Sequence, residues 1–169
     1  MFGGLSGNYR AYAWTRSKAA SDLDSSTSAK HTGIGFSVDQ QVGDGVKLFG
    51  RYGQLVSGEL PFKQALAVGA EISGNYWGRG ADAIGIGGSW LKSSKAYRLA
   101  GGEGDIDGDG TADFTFTPSG AEKVAEIYYR FRVSPQFEIT PYFQWIGNAG
   151  ANPNADSVKV FALRANIAY

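Results

Sequence analysis

The sequence EKVAEIYYRFRVSPQFEITPYFQWI, residues 122–146, decides the fold class because apolar and polar side chains alternate through it twice. Successive side chains of a β-strand point to opposite sides, so a period of two indicates strands with one apolar and one polar face. The dipeptide Ser134-Pro135 separates the two alternating runs and is typical of a tight turn. This stretch therefore predicts an antiparallel hairpin of two long amphipathic strands.

The same alternation recurs along the rest of the chain. Together with the hairpin it predicts about eight strands of about ten residues each, whereas strands of soluble sheets usually have five or six. Tilted strands of nine to eleven residues cross the hydrocarbon layer of a bilayer. We therefore predict an all-β protein, an antiparallel transmembrane β-barrel. The six further strands are expected at residues 7–17, 31–42, 45–56, 64–77, 81–94 and 156–169.

The predicted connections alternate between tight and long. The dipeptide at 43–44, the tripeptide at 78–80 and the dipeptide at 134–135 are short. The other connections are longer, and they are expected at residues 18–30, 57–63, 99–120 and 148–155. Outer-membrane barrels carry short turns on the periplasmic rim and longer loops on the other. The pattern therefore predicts an outer-membrane location.

Composition excludes several other classes. Sixteen basic residues balance 16 acidic ones, which argues against a nucleic-acid partner. Twenty-five glycines and a mean hydropathy of −0.23 do not suit a helical membrane protein. The first residues lack the charged and apolar regions of a signal peptide. We therefore expect residues 1–169 to form a single barrel region without a signal peptide.

The polar rows of the predicted strands suit a water-filled lumen, and the apolar rows suit lipid. Charged and aromatic side chains on the polar rows are the candidates to contact a diffusing solute, since a guanidinium group, for example, presents several hydrogen-bond donors in fixed directions. These candidates are Arg10, Tyr12, Trp14, Arg16, Asp39, Lys47, Arg51, Glu71, Glu126, Tyr128, Arg130, Arg132, Glu138 and Arg164.

Several segments in this order resemble the carbohydrate-selective porins of the OprB family. The most specific is GFSVDQQVGDGVKLFGRYG, at residues 35–53, and the others lie at 7–14, 74–87, 126–146 and 160–169. The resemblance implies an outer-membrane porin that lets sugars diffuse passively, rather than an enzyme. It also implies a barrel of about sixteen strands, of which this chain looks like the C-terminal half.

The chain ends on an aromatic residue, Tyr169, at the end of the last predicted strand. In porins of this kind a final aromatic is recognised by the barrel assembly machinery, so the resemblance implies that Tyr169 is an insertion signal. The expected partners are therefore sugars as diffusing solutes, outer-membrane lipid and the assembly machinery.

One loop has the spacing of a calcium-binding sequence. Its carboxylates occupy positions 1, 3, 5 and 9, with Gly110 at position 6, but Phe116 stands where an EF-hand has a bidentate glutamate. Two interpretations stay open: a structural calcium site, or a solvated turn rich in glycine and aspartate. No other cofactor is expected. The candidate ligands are Asp105, Asp107, Asp109 and Asp113.

Catalytic chemistry has little support. The sequence has one histidine, His31, expected beside a loop, and no cysteine. Neither a Ser-His-Asp arrangement with a second base nor a metal site built from several histidines can therefore be assembled. Two other functions stay open. The strands could close into a small non-conducting eight-stranded outer-membrane barrel with a structural or anchoring role, or into a soluble lipid-binding barrel whose apolar rows lie inside.

Overall fold

The chain forms one antiparallel β-sheet in a computed structural model that describes residues 4–21, 23–102, 105, 109–113 and 115–168. Helix α1 (Lys95–Ala100) and two 3-10 turns lie in the connections. The all-β antiparallel prediction is confirmed. None of the helices among these residues has the length and hydropathy to cross a membrane. The strands are β1 (Gly7–Ser21), β2 (Asp24–Gly43), β3 (Val46–Ser57), β4 (Phe62–Ser73), β5 (Ala83–Ser93), β6 (Ala121–Ser134), β7 (Phe137–Gly147) and β8 (Val158–Ile167).

The sheet is open. Its strand order is β1-β2-β3-β4-β5-β6-β7-β8, and each strand pairs with its neighbours in the chain. Within the described residues no ladder joins β1 to β8, so the sheet has two free edges. The eight strands therefore do not close into the small barrel that the sequence left open as an alternative.

The register keeps polar residues opposite polar residues across the sheet. Ser37 of β2 pairs with Arg51 of β3, whereas its apolar neighbour Phe36 pairs with Tyr52. In β7, likewise, Glu138 pairs with Asn166 of β8. Because side chains alternate along every strand, this register gives the sheet one polar and one apolar face. We call them the polar face and the apolar face.

The polar face is the sheltered one. Ser37 is 7% exposed, while its neighbour on the apolar face, Phe36, is 50% exposed. In β6, likewise, Glu126 and Tyr128 are half-buried where Ala125 and Ile127 are exposed. The sheet therefore curves around its polar side. This is the reverse of a soluble lipid-binding barrel, which needs its apolar rows inside.

The described residues contain little apolar core. Their accessible surface is 10415 Å², whereas a soluble monomer of this mass exposes about 8,000 Å². Large side chains such as Ile86, Phe161 and Leu163 lie exposed on the apolar face. Soluble monomers rarely expose contiguous apolar patches of more than a few hundred Å². This surface therefore requires a partner that is itself apolar.

The first predicted loop, residues 18–30, is wrong. Strand β1 continues to Ser21 and β2 begins at Asp24, so most of the predicted loop is strand. Pairing resumes past an irregularity after Arg16, with Ala19 opposite Ala29. These residues are small and polar and do not alternate. Backbone pairing in a hairpin needs no alternation, because the ladder is made by main-chain groups alone. His31, expected beside a loop, therefore lies within β2 and is fully buried.

The turn expected at 78–80 is also longer than predicted. Strand β4 ends at Ser73, and residues 74–82 connect it to β5 through the 3-10 turn Gly74–Trp77. The Ser73 side chain accepts a hydrogen bond from the Asn75 N–H and so ends the strand. This rim also carries the short turns 44–45 and 135–136. The described parts of the longest connections, 94–120 and 148–157, lie on the other rim, as predicted, where the Ser119 N–H donates to the Ala151 carbonyl oxygen.

Candidate functional site

The strand register places all fourteen candidates on the polar face. Arg10 of β1, for example, pairs with Ser37, and Ser37 pairs with Arg51 of β3. Farther along the sheet, Glu71 of β4 pairs with Gly85 of β5, which in turn pairs with Tyr128 of β6. The same parity continues to Arg164 on β8. Side-chain contacts and strand position assign eleven of these residues to three groups, and the other three line the cavities described below.

The largest group centres on Glu71. The hydroxyl of Tyr128 donates a hydrogen bond to Glu71 Oε2 at 2.7 Å, and Arg130 Nη2 donates to Oε1 at 3.1 Å. Glu138 Oε2 lies 3.8 Å from Arg130 Nε and 4.0 Å from Arg132 Nη2. Tyr128 and Arg130 reach Glu71 from β6 across the intervening strand β5. The group therefore ties β4, β6 and β7 together on the polar face.

Glycine at position 85 makes this reach possible. A Cβ atom there would lie 2.1 Å from Cε1 and Cζ of Tyr128, far inside van der Waals contact. The ring therefore lies across β5 in the space that a side chain would fill, and its hydroxyl arrives at Glu71. Sequence alternation alone could not reveal this contact, because it depends on which residues face each other across strands.

A second group joins β2 and β3. Arg51 Nη2 lies 2.6 Å from Asp39 Oδ1, while Arg51 Nη1 donates to the carbonyl oxygens of Val38 at 2.7 Å and Gly50 at 2.9 Å. The guanidinium carbon also lies 5.5 Å from the centre of the Phe49 ring. These contacts hold the cation against the wall, although both charged side chains remain 40% exposed.

The third group is on β1. Tyr12 lies on Gly35 and Trp14 on Gly33, both across the β1–β2 ladder. Arg10 precedes these rings on the same face, and Arg16 follows them. The structure brings these four residues into one row but does not join them to Glu71.

Two cavities open on the polar face. One of about 500 Å³ is lined by Asp39, Lys47, Glu71 and Tyr128, among others. Lys47 thus belongs to the same groove as the ion pairs. The second cavity, of about 270 Å³, has charged walls on β6, β7 and β8. Its lining includes Glu126, Arg130, Glu138 and Arg164. The face therefore offers charged groups around open, hydrated space.

Several residues of this face were missed as candidates. Gln144 donates a hydrogen bond to Glu126, and Tyr142 lies 5.6 Å from the guanidinium of Arg164. Phe49 lines the larger cavity. Their parity along the strands places them on the polar row, so alternation is the signal that could have found them. The arrangement of the face, with fixed donors, acceptors and ring faces, suits weak binding of polyhydroxylated solutes.

A separate network on the short-turn rim was not foreseen. Asp82 is 2% exposed and accepts hydrogen bonds from Arg79 Nε at 2.5 Å, the Tyr129 hydroxyl at 2.6 Å and the Arg132 N–H at 3.0 Å. The hydrogen bond from Arg79, helped by those from Tyr129 and Arg132, holds the pKa of Asp82 well below its usual range. Arg79 also stacks 4.4 Å from the Phe131 ring centre. The β4–β5 connection is thereby fastened to β6.

The acidic loop is only partly described. Asp105 accepts hydrogen bonds from the N–H groups of Asp109 at 3.2 Å and Gly110 at 2.8 Å, and Asp109 accepts one from the Thr111 N–H. Asp107 lies outside the described residues. Among those that are described, no three carboxylate or imidazole groups are placed to hold a metal. Calcium binding stays a prediction, and so does the role of Tyr169, which also lies outside the described residues.

Comparison with known proteins agrees with this architecture. The family model described as carbohydrate-selective porin, OprB family, matches residues 2–169. No curated protein matches the chain. The fold is similar to that of OprB from Pseudomonas putida, solved at high pH, with a TM-score of 0.78 and 20% identity. The match covers 99% of this chain and 46% of that one, so this chain spans about half the length of that protein.

Proposed function

The chain belongs to the OprB family of carbohydrate-selective porins, and from that premise we propose that its strands form part of the wall of an outer-membrane pore for passive sugar diffusion. The observation that carries the proposal is the division of the sheet into two faces. All fourteen candidates share the polar face, while large apolar side chains cover the other. A porin wall has this arrangement, with lipid outside and water inside.

The length of the strands supports insertion in a bilayer. The shortest strand, β8, has 10 residues, and the next two, β5 and β7, have 11. Strands of nine to eleven residues span the hydrocarbon layer when they are tilted. Exposed apolar residues such as Ile86, Ile127 and Leu163 then face lipid tails. Outer-membrane lipid is thus a partner of the apolar face.

The open edges support a pore wider than these eight strands alone would form. In hydrocarbon every backbone N–H and C=O group must be hydrogen-bonded within the protein, so an open sheet edge cannot remain there. We infer that further strands pair with β1 and β8 and close the barrel. A wider barrel leaves an aqueous channel, whereas an eight-stranded one is filled by its own side chains. We call the closed molecule the assembled porin.

The polar face suggests how a sugar passes. Hydroxyl groups of the solute exchange hydrogen bonds with water for those with guanidinium and carboxylate groups along the wall, such as Arg51, Glu71 and Arg130. Each of these charged groups already pairs with another side chain of the wall, so its contact with a solute is weak. Weak contacts at many sites let a solute enter and leave again. The porin family and fold point to a transport channel rather than to an enzyme.

Planar-bilayer recording tests the proposal. The assembled porin, purified from outer membranes, is inserted into a bilayer, and single-channel current is recorded with glucose and with maltodextrin. We expect stable current that both sugars partly block. A high-mass dextran at equal osmotic strength, too large to enter, is the matched control and should leave the open-channel current unblocked. A folded, heat-resistant protein without current, or a current indifferent to sugars, would overturn the proposal.

A further inference from the structure

Aromatic rings on the polar face lie against glycines of the adjacent strand. The described cases are Phe49 on Gly69, Tyr128 on Gly85, Tyr12 on Gly35 and Trp14 on Gly33. A Cβ atom at any of these glycines would lie between 2.1 and 2.6 Å from its ring. A Cβ projects away from the plane of the sheet, so a ring that covers its position lies along the wall. The rings therefore do not project into the channel.

The contact of Trp14 shows that its indole covers Gly33. The Cβ position of Gly33 is 2.6 Å from each of three indole atoms, Cε2, Cζ2 and Nε1. Cε2 is bonded to both of the other atoms, so the Cβ position lies against this edge of the indole. The indole therefore fills the space that a side chain at Gly33 would occupy and leans toward β2 along the wall. Tyr12 has the same relation to Gly35, with Cζ 2.3 Å from the Cβ position.

These two rings differ from the other two in being adjacent to each other on one strand. Residues two apart in a strand are about 7 Å apart on one face, so Tyr12 and Trp14 form one continuous apolar surface. In the open sheet Tyr12 is 51% exposed and Trp14 is 39% exposed. Both rings lie against β2, on the side of β1 away from its free edge, so a further strand paired to β1 would not cover them. Tyr128, in contrast, is half-buried and donates its hydroxyl to Glu71. Exposed aromatic surface on a polar face is costly in water unless it meets an apolar solute surface.

We propose that Tyr12 and Trp14 form an aromatic shelf that binds the apolar CH face of a pyranose ring; this inference rests on the proposed sugar pore. Arg10 and Arg16 lie at the two ends of the shelf on the same face, where their guanidinium groups reach the hydroxyls at the rim of the sugar. A pyranose with equatorial hydroxyls, such as glucose, offers the flat CH face that the shelf requires. An acyclic polyol such as sorbitol offers similar hydroxyls without that face.

The shelf predicts discrimination between these two solutes. Contacts between apolar faces of this size contribute on the order of one kcal/mol, a factor of about two to ten in affinity. In the assembled porin, Trp14→Ala and Tyr12→Ala should each raise the glucose concentration that gives half-maximal current block by about that factor. Block by sorbitol should be weak in the unsubstituted porin, and neither substitution should change it.

Matched variants separate stacking from a structural role. Tyr9→Ala is the control, because Tyr9 is on the same strand and also 51% exposed, but it is on the apolar face. It should leave glucose block unchanged. Trp14→Phe keeps a flat aromatic ring and should restore most of the block, whereas Trp14→Leu keeps apolar bulk without one and should not. If Trp14→Ala does not fold, the comparison of Phe with Leu decides the matter.

The outcomes distinguish the shelf from the pore. Glucose block that persists equally in Trp14→Ala, Trp14→Leu and the unsubstituted porin would overturn the shelf and leave the sugar pore standing. Equal block by glucose and sorbitol would also overturn it. Absence of glucose block in the unsubstituted porin would overturn the proposed sugar pore, and with it the shelf that rests on that pore. A glucose-dependent change of tryptophan emission that Trp14→Phe abolishes is the expected optical readout.

Discussion

Replacing Gly85 by alanine should destabilise the protein through one specific clash. The new Cβ would lie 2.1 Å from the Tyr128 ring. To restore 3.4 Å, where ordinary contact begins, the ring must retreat by about 1.3 Å. The Tyr128 hydroxyl, now 2.7 Å from Glu71 Oε2, would then move out of hydrogen-bond range. One added methyl group would therefore undo a contact that joins β4 to β6.

Two costs contribute to the expected loss of stability. Overpacking costs about 1–3 kcal/mol, and a hydrogen bond to a charged group contributes about 1.5–3 kcal/mol. The Glu71 side chain is 25% exposed, so water can replace part of the lost bond and the second cost is near its lower limit. We expect Gly85→Ala to lower the free energy of unfolding by about 2.5–4.5 kcal/mol in total. Tyr128→Phe, which removes only the hydrogen bond, should lower it by about 1.5 kcal/mol.

Urea unfolding of the assembled porin in lipid vesicles, followed by tryptophan emission, measures these differences. Gly53→Ala is the matched control, because Gly53 also belongs to the polar row and a Cβ there meets nothing within 4 Å. It should be neutral or slightly stabilising. In a Tyr128→Ala background the cost of Gly85→Ala should vanish. Equal stabilities of Gly85→Ala and Gly53→Ala, or an undiminished cost without the ring, would refute the reasoning.

Four further predictions concern single residues. Asp82→Asn should destabilise the porin at pH 7. Because folding lowers the Asp82 pKa, the difference in free energy of unfolding between the variant and the unsubstituted porin should shrink as pH falls below about 4. Urea unfolding at each pH measures this difference. Glu71→Gln removes a negative charge from a face whose candidates include seven cations and four acids. The reversal potential in a salt gradient should therefore shift toward anion selectivity. The control, Asp156→Asn in an exposed loop, should shift it less. The calcium interpretation predicts calorimetric heat with millimolar calcium that Asp109→Asn abolishes, and absence of heat would identify a plain turn. Deleting Tyr169 should reduce the heat-resistant, membrane-embedded porin on gels, and unchanged levels would contradict its role in insertion.

Period-two alternation was sufficient to predict most of the architecture. It depends only on strand geometry, so it assigned Glu71, Tyr128 and Arg164 to one face without knowledge of their neighbours. It failed where the backbone forms structure without an amphipathic pattern. The extension of the β1–β2 hairpin beyond Arg16 and the 3-10 turn after Ser73 are such places.

The side-chain contacts of the site could not be predicted from the chain alone. Tyr12 and Gly35 were both visible on polar rows, yet their contact follows from the register between β1 and β2. Nothing in the sequence marks Asp82 as a buried carboxylate with three hydrogen-bond donors. Its three donors come from the β4–β5 connection and from β6, which meet only in the folded sheet.

The most direct test of the central claim is cysteine accessibility along the two faces. The chain contains no cysteine, so single cysteines report cleanly. Ser89 and Asn166 lie on the polar face, and their neighbours Gly88 and Ala165 lie on the apolar face. Each of the four is replaced by cysteine in turn. A charged, membrane-impermeant thiol reagent should reduce the single-channel current at the first pair only. Reduction at the second pair, or equal effects at all four positions, would contradict a lumen lined by the polar face.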